Sequence, residues 1–236
     1  MGDVDSRTAL LEAAWELTVE SFGLSATGPM SPAAKVLDQL KTAEIASRAG
    51  LTTGAFYNRW PSRDNFLDEF LDFALSMDRY PGPGQLFEVF VESAGLPLRE
   101  LVERLVEVSV AELESSPTLY VQVHLWSLSG QRRDVADRLR RLNVELRDRM
   151  VPFYDAVLAS LGREYRHPFD GPSVSSLLNA LTMGFVEQRV VGGDDAPSLA
   201  ILTDAIIGWI PVVSRTADDL LTVDEVVNRS FLEASS

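Results

Sequence analysis

Residues 42–63 read TAEIASRAGLTTGAFYNRWPSR, and this stretch decides the fold. It predicts a helix, a tight turn, a second short helix, and a Pro-Ser stop before a third. Two helices joined by a three- or four-residue turn containing Gly form a helix-turn-helix, whose second helix can enter a DNA major groove. The first helix carries Ala43, Ile45, Ala46 and Ala49, mostly small residues that let a second helix cross closely, and Thr42 is expected to cap it. Gly50 supplies the left-handed position that ends a helix without a Cβ penalty. Thr52 is expected to cap the next helix. Phe56 and Trp60, four apart, share a face that can pack inward. Thr52, Thr53, Gly54, Ala55, Tyr57, Asn58 and Arg59 are left outward or forward, small or hydrogen-bonding, as suits a surface lying against a polar groove.

The same residues carry a resemblance. Ile45-Ala46, Ala49-Gly50-Leu51-Thr52, Gly54-Ala55-Phe56-Tyr57, Arg59 and Trp60-Pro61-Ser62-Arg63 fall without gaps on the signature of the tetracycline-repressor-like (TetR) transcriptional regulators. Trp60 stands where that family usually has Phe, and Lys41 where a capping Thr is common. The resemblance is specific over about residues 43–71; elsewhere it rests on helical pattern and length. It implies that the residues at Tyr57 and Arg59 contact the DNA backbone, and that those at Thr52, Thr53 and Ala55 face the groove. It also implies that Thr42 binds phosphate from a helix N-terminus, and Arg63 as a point cation. Gly54 is read as permitting close approach to backbone or base edges.

Composition bounds the alternatives. The 236 residues, 46% hydrophobic, can bury a sizeable core. With no cysteine, disulfide frameworks and zinc-thiolate sites are excluded. The first residues are acidic before they are apolar, the reverse of a secretory leader, and no apolar run is long enough to span a bilayer. The expectation is a soluble cytoplasmic protein without membrane partners. The net charge of −14 argues against non-specific nucleic-acid binding. Between residues 41 and 63, however, Lys41, Arg48, Arg59 and Arg63 oppose Glu44 alone, a local basic face that predicts salt-dependent DNA binding.

Outward from the opening stretch, Ser6 is expected to cap a first helix running to about residue 22, with Ala9, Leu10, Ala13, Ala14 and Leu17 as its apolar stripe. Residues 24–40 form an insertion, with a short helix expected from Pro32. Ser62 should cap a helix bearing Phe66, Leu67, Phe70, Leu71 and Ala74 on one face and lasting to about residue 78. Tyr80-Pro-Gly-Pro-Gly84 marks a domain boundary. Beyond it every segment has helical periodicity. Two late segments, 173–191 and 198–213, are apolar nearly all round, so one side should face the core and the other a second subunit. In the resembled family the two late helices at this place form a four-helix dimer interface, which points to Leu177, Leu181, Phe185, Leu202, Ile206 and Trp209.

Other candidate chemistry has plainer explanations. His124 is a lone helical histidine, which is more often a satisfied core or surface residue than a catalyst, since a base needs a positioned partner; with Tyr120 and Trp126 it is a candidate wall of an apolar effector pocket. Asp194-Asp195 and Asp218-Asp219 suit turns and caps better than a metal. The arginines at 138, 140, 141, 147 and 149, interleaved with acids, read as a solvated, ion-paired face. No phosphate loop, nucleophile elbow or zinc signature is present, and no cofactor is expected.

The expected protein is all-α. A three-helix helix-turn-helix domain (residues 1–80) precedes a helical domain for ligand binding and dimerisation (residues 81–236). Its expected function is that of a ligand-responsive repressor, acting as a homodimer on a near-palindromic double-stranded DNA operator and answering to a largely apolar small-molecule effector. Its rivals are an all-α enzyme and a helical adaptor with an apolar cavity and no DNA function.

Overall fold

The computed structural model describes residues 3–21, 37, 40–80 and 82–233. Among the described residues the fold is all-α apart from one two-residue ladder. Its helices are α1 (Asp3–Ser21), α2 (Thr42–Arg48), α3 (Thr53–Tyr57), α4 (Arg63–Ala74), α5 (Gly84–Glu92), α6 (Leu98–Ser115), α7 (Pro117–Ser129), α8 (Arg133–Ser160), α9 (Gly171–Gly192), α10 (Leu199–Val213) and α11 (Val223–Glu233). Two compact units result: residues 1–80 with 116–143, and residues 81–115 with 144–236. The expected helix from Pro32 lies outside the described residues.

In the first unit, α1, α2 and α4 close around an aromatic ladder. Phe56 meets Phe66 at 4.9 Å and Trp60 at 5.2 Å between ring centroids, and Phe66 stacks on Phe70 at 5.8 Å. All four rings are buried, together with Leu10, Ala14, Ile45 and Leu71. Aromatic pairs at these distances add about 0.5–1.5 kcal/mol each beyond their burial. The apolar face expected on α4 is buried at all five positions, and Ser62 caps it by accepting the Asn65 N–H at 3.2 Å. The helix stops at Ala74 rather than near residue 78. A single 3₁₀ turn, Met77–Arg79, follows, and the Arg79 guanidinium packs over the rings of Phe73 (3.9 Å) and Trp15 (4.6 Å) while pairing with Glu12. A cation between two aromatic faces fixes the chain's exit from α4.

Two expectations at helix starts are corrected. Helix α1 begins at Asp3, so Ser6 is inside it and not its cap. At α2, Lys41 takes the N-cap position without a side-chain bond, and Thr42 is the first helical residue. The arginine-rich run is corrected as well. Arg138, its side chain only 10% exposed, reaches Asp68 at 2.6 Å and Asp72 at 2.7 Å on α4, so it is a clamp within this unit and not a solvated residue.

In the second unit, α6 packs against α5, α9 and α10. Asp170 and Ser173 form a reciprocal capping box at the start of α9. A short strand, Glu164–Tyr165, pairs antiparallel with Ser214–Arg215. Beside it the buried Arg166 donates to Asp219 at 2.5 Å and to the carbonyls of Ser214, Pro211 and Leu221. That arginine ties the end of α10 to the segment before α11, and it holds the Asp219 carboxyl below its ordinary range. Asp218 lies in a turn, and α11 starts at Val223.

Candidate nucleic-acid interface

Local chemistry sets the geometry of the α2–turn–α3 element. Gly50 has φ +68°, the left-handed conformation that lets the chain reverse. Thr52 Oγ1 accepts the Ala55 N–H at 3.1 Å and starts α3. Phe56, fully buried, then fixes the rotation of α3 about its axis, with Trp60 beside it. The indole N–H of Trp60 donates to Glu69 at 2.8 Å, a bond the family's usual Phe could not make. Arg7 also donates to Glu69, and with Trp60 it holds that carboxyl below its ordinary range.

With Phe56 inward, Thr52, Thr53, Gly54, Tyr57 and Asn58 are exposed, and Thr42 and Ala55 are half-buried. Tyr57 is 50% exposed and braced edge-on by Phe56 at 5.4 Å. At Gly54 an added Cβ would meet nothing nearer than Thr52 Oγ1 at 3.6 Å. Nothing inside the protein requires a glycine there.

The basic residues are disposed differently from the expectation of a free cationic face. Arg48 forms paired hydrogen bonds with Glu20 at 2.7 and 2.8 Å. Arg59 donates to Ser6 on α1 at 2.7 Å, and Arg63 donates to the backbone carbonyls of Leu37 and Leu40. Of the four cations between residues 41 and 63, Lys41 alone has no such bond among the described residues. The sequence shows how many positive charges lie near the motif, but not whether acids 28 or more residues away, such as Glu20, have already taken them.

Residues 33–70 match the model of the bacterial regulatory proteins of the tetR family. The matched segment spans α2, α3 and most of α4, the DNA-binding part of that family, and the chain is a DNA-binding transcriptional regulator. No curated protein matches the chain. Among solved structures it is similar to a TetR transcription regulator from Haloarcula marismortui ATCC 43049, at 15% identity and TM-score 0.55, covering 90% of this chain and 100% of that one. A protein from Rhodococcus sp. RHA1 is similar at 18% identity and TM-score 0.56, covering 86% and 92%. A protein from Saccharomonospora viridis solved in complex with choline gives 18% identity and TM-score 0.51, covering 89% and 97%. At such identities these likenesses speak for the tetR-type fold alone.

The other expected sites separate. Tyr120, His124 and Trp126 lie on α7 in the first unit; His124 is buried, whereas Trp126 is 67% exposed. None of the three lines the cavity of about 130 Å³ within the second unit, which is walled by residues of α5, α6, α8, α9 and α10. Of the residues expected at a dimer interface, Leu177 and Leu181 are exposed, at 45% and 39%. Phe185 and Leu202 are buried in their own chain, while Leu202, Ile206 and Trp209 line that cavity. A helix apolar on every side does not reveal from sequence which side is inward. Among the described residues no helix is long and apolar enough to cross a membrane, and no group of three or more His, Cys, Asp or Glu side chains is placed to hold a metal.

Proposed function

We propose that residues 1–80 serve as the DNA-binding domain, with Thr42, Thr52, Thr53, Gly54, Ala55, Tyr57 and Asn58 against the operator, and Arg59 and Arg63 bracing the element from behind. The observation that carries this reading is the anchoring of α3: a capped start and a buried Phe56 leave an exposed run ending in Tyr57, with a glycine that the protein's own packing does not need. Residues 81–236 act as the effector-binding and dimerisation domain. Two copies of α3, about 34–36 Å apart, would enter successive major grooves of a near-palindromic site. The protein then works as a repressor and not as a catalyst.

Dimerisation through α9 and α10 is supported by exposed Leu177, Leu181 and Ile201. It is also supported by Gly184 and Gly208, where an added Cβ would meet no atom within 4 Å. Glycines facing open space on two apolar helices suit a close crossing with a second copy. Response to a small molecule is supported by the cavity in the second unit and by a protein of similar fold that holds choline. An effector that binds one dimer arrangement better than the other would shift the population between them. The test of the DNA face is operator affinity in Tyr57→Phe and Asn58→Ala; wild-type affinity in both would reject it.

A further inference from the structure

The cavity has a chemical character that narrows what it takes. Twenty residues line it and none is charged. Its walls are aliphatic or Phe, apart from Ser109, Tyr154, Thr182 and Trp209. None of those four side chains makes a hydrogen bond within the described residues. Burial pushes the Tyr154 phenol up to about 12, which keeps it neutral. Two ion pairs join the walling helices: Arg99 with Asp204 at 2.8 Å, and Arg189 with Glu114 at 2.6 Å. Glu112 follows Ser109 by one turn on α6, but it is not a lining residue, and burial raises its carboxyl toward the neutral form.

An unpaired charge entering such a site would lose its hydration without a partner to replace it. A neutral molecule with one polar head would instead leave its apolar body against the walls and offer the head to a vacant donor or acceptor. Size narrows the choice as well. An apolar cavity of about 150 Å³ lined by Leu, Ile and Phe holds benzene, and this one measures about 130 Å³.

We propose that the cavity selects an uncharged effector of about six to eight non-hydrogen atoms, an apolar ring or short chain with one hydrogen-bonding head, the chemistry of a phenol or a small alcohol. This deepens the reading of the second unit as an effector domain and rests on it. Ser109, Tyr154 and Thr182 are the candidate partners of the head.

The test uses the full chain at neutral pH with phenol, benzene, benzoate and tetramethylammonium as probes, read by titration calorimetry and by the rise in Tm at fixed protein concentration. Phenol should bind saturably and raise Tm. Benzoate and tetramethylammonium should bind roughly 100-fold more weakly or not at all. Val102→Phe, which fills the cavity, should abolish phenol binding. Should that variant fail to fold, Tyr154→Phe, Ser109→Val and Thr182→Val provide a second route. At least one of them should weaken phenol by roughly two- to tenfold while leaving benzene unchanged. Benzoate or tetramethylammonium binding as tightly as phenol overturns the neutral class and leaves the effector domain standing. No binding by any probe at millimolar concentration overturns both.

Discussion

Gly54→Ala should stabilise this protein and weaken its hold on DNA at the same time. Gly54 is the second residue of α3, and the added methyl would meet only Thr52 Oγ1 at 3.6 Å, an ordinary contact distance. Replacing a helical glycine by alanine where the backbone conformation is compatible stabilises by about 0.4–1 kcal/mol, chiefly by restricting the unfolded chain. For a chain of this size that corresponds to a Tm rise of about 1–4 °C. On the operator side, if Gly54 lies against DNA at van der Waals distance, the methyl must push the two surfaces apart. Overpacking of that kind costs about 1–3 kcal/mol, or about 5- to 150-fold in affinity. Fluorescence anisotropy on a duplex selected from a random pool gives the affinity, and calorimetry at the same protein concentration gives Tm. A higher Tm with unchanged affinity would remove Gly54 from the DNA face. A lower Tm would refute the claim that the protein itself leaves room there.

Leu181→Asp and Ile201→Asp place charges on exposed positions of α9 and α10; sedimentation should show folded monomers, and a stable dimer would reject the proposed interface. Arg138→Ala should lower unfolding stability in urea by about 1–2 kcal/mol, discounted because Asp68 and Asp72 are more than half exposed. With Arg48, Arg59 and Arg63 engaged within the protein, a dimer offering one or two cations per half-site should give a log–log salt slope of roughly −2 to −4; a slope near −8 would mean those arginines turn to DNA on binding. Burial holds the His124 imidazole below its ordinary value. As pH falls below about 6.5 the unfolded chain therefore takes up the proton first, and stability declines with falling pH by up to about 1.4 kcal/mol per unit. His124→Gln should flatten that decline between pH 7 and the carboxylate range, as followed by urea midpoints.

The helix-turn-helix was legible in the chain because its determinants are local. A left-handed Gly50, caps at Thr52 and Ser62, and inward residues at helical spacing each act over one or two turns. The same physics made the apolar face of α4 and the order of the later helices readable. What the sequence could not show depends on groups far apart in the chain. Arg59 is turned by Ser6, 53 residues away, and Arg138 by Asp68 and Asp72, 70 and 66 residues away. Counting cations near the motif therefore overstated the free positive charge. In α9 and α10, hydrophobicity all round fixed burial but not direction, so Leu202, Ile206 and Trp209 line a cavity whereas Leu177 and Ile201 are exposed. The stretch at 42–63 determined by itself that α3 is a short, exposed second helix of a helix-turn-helix, since short-range caps and one buried ring suffice to present it. Only the tertiary structure decided which of its charges are free and where the cavity lies, because both depend on which distant faces meet.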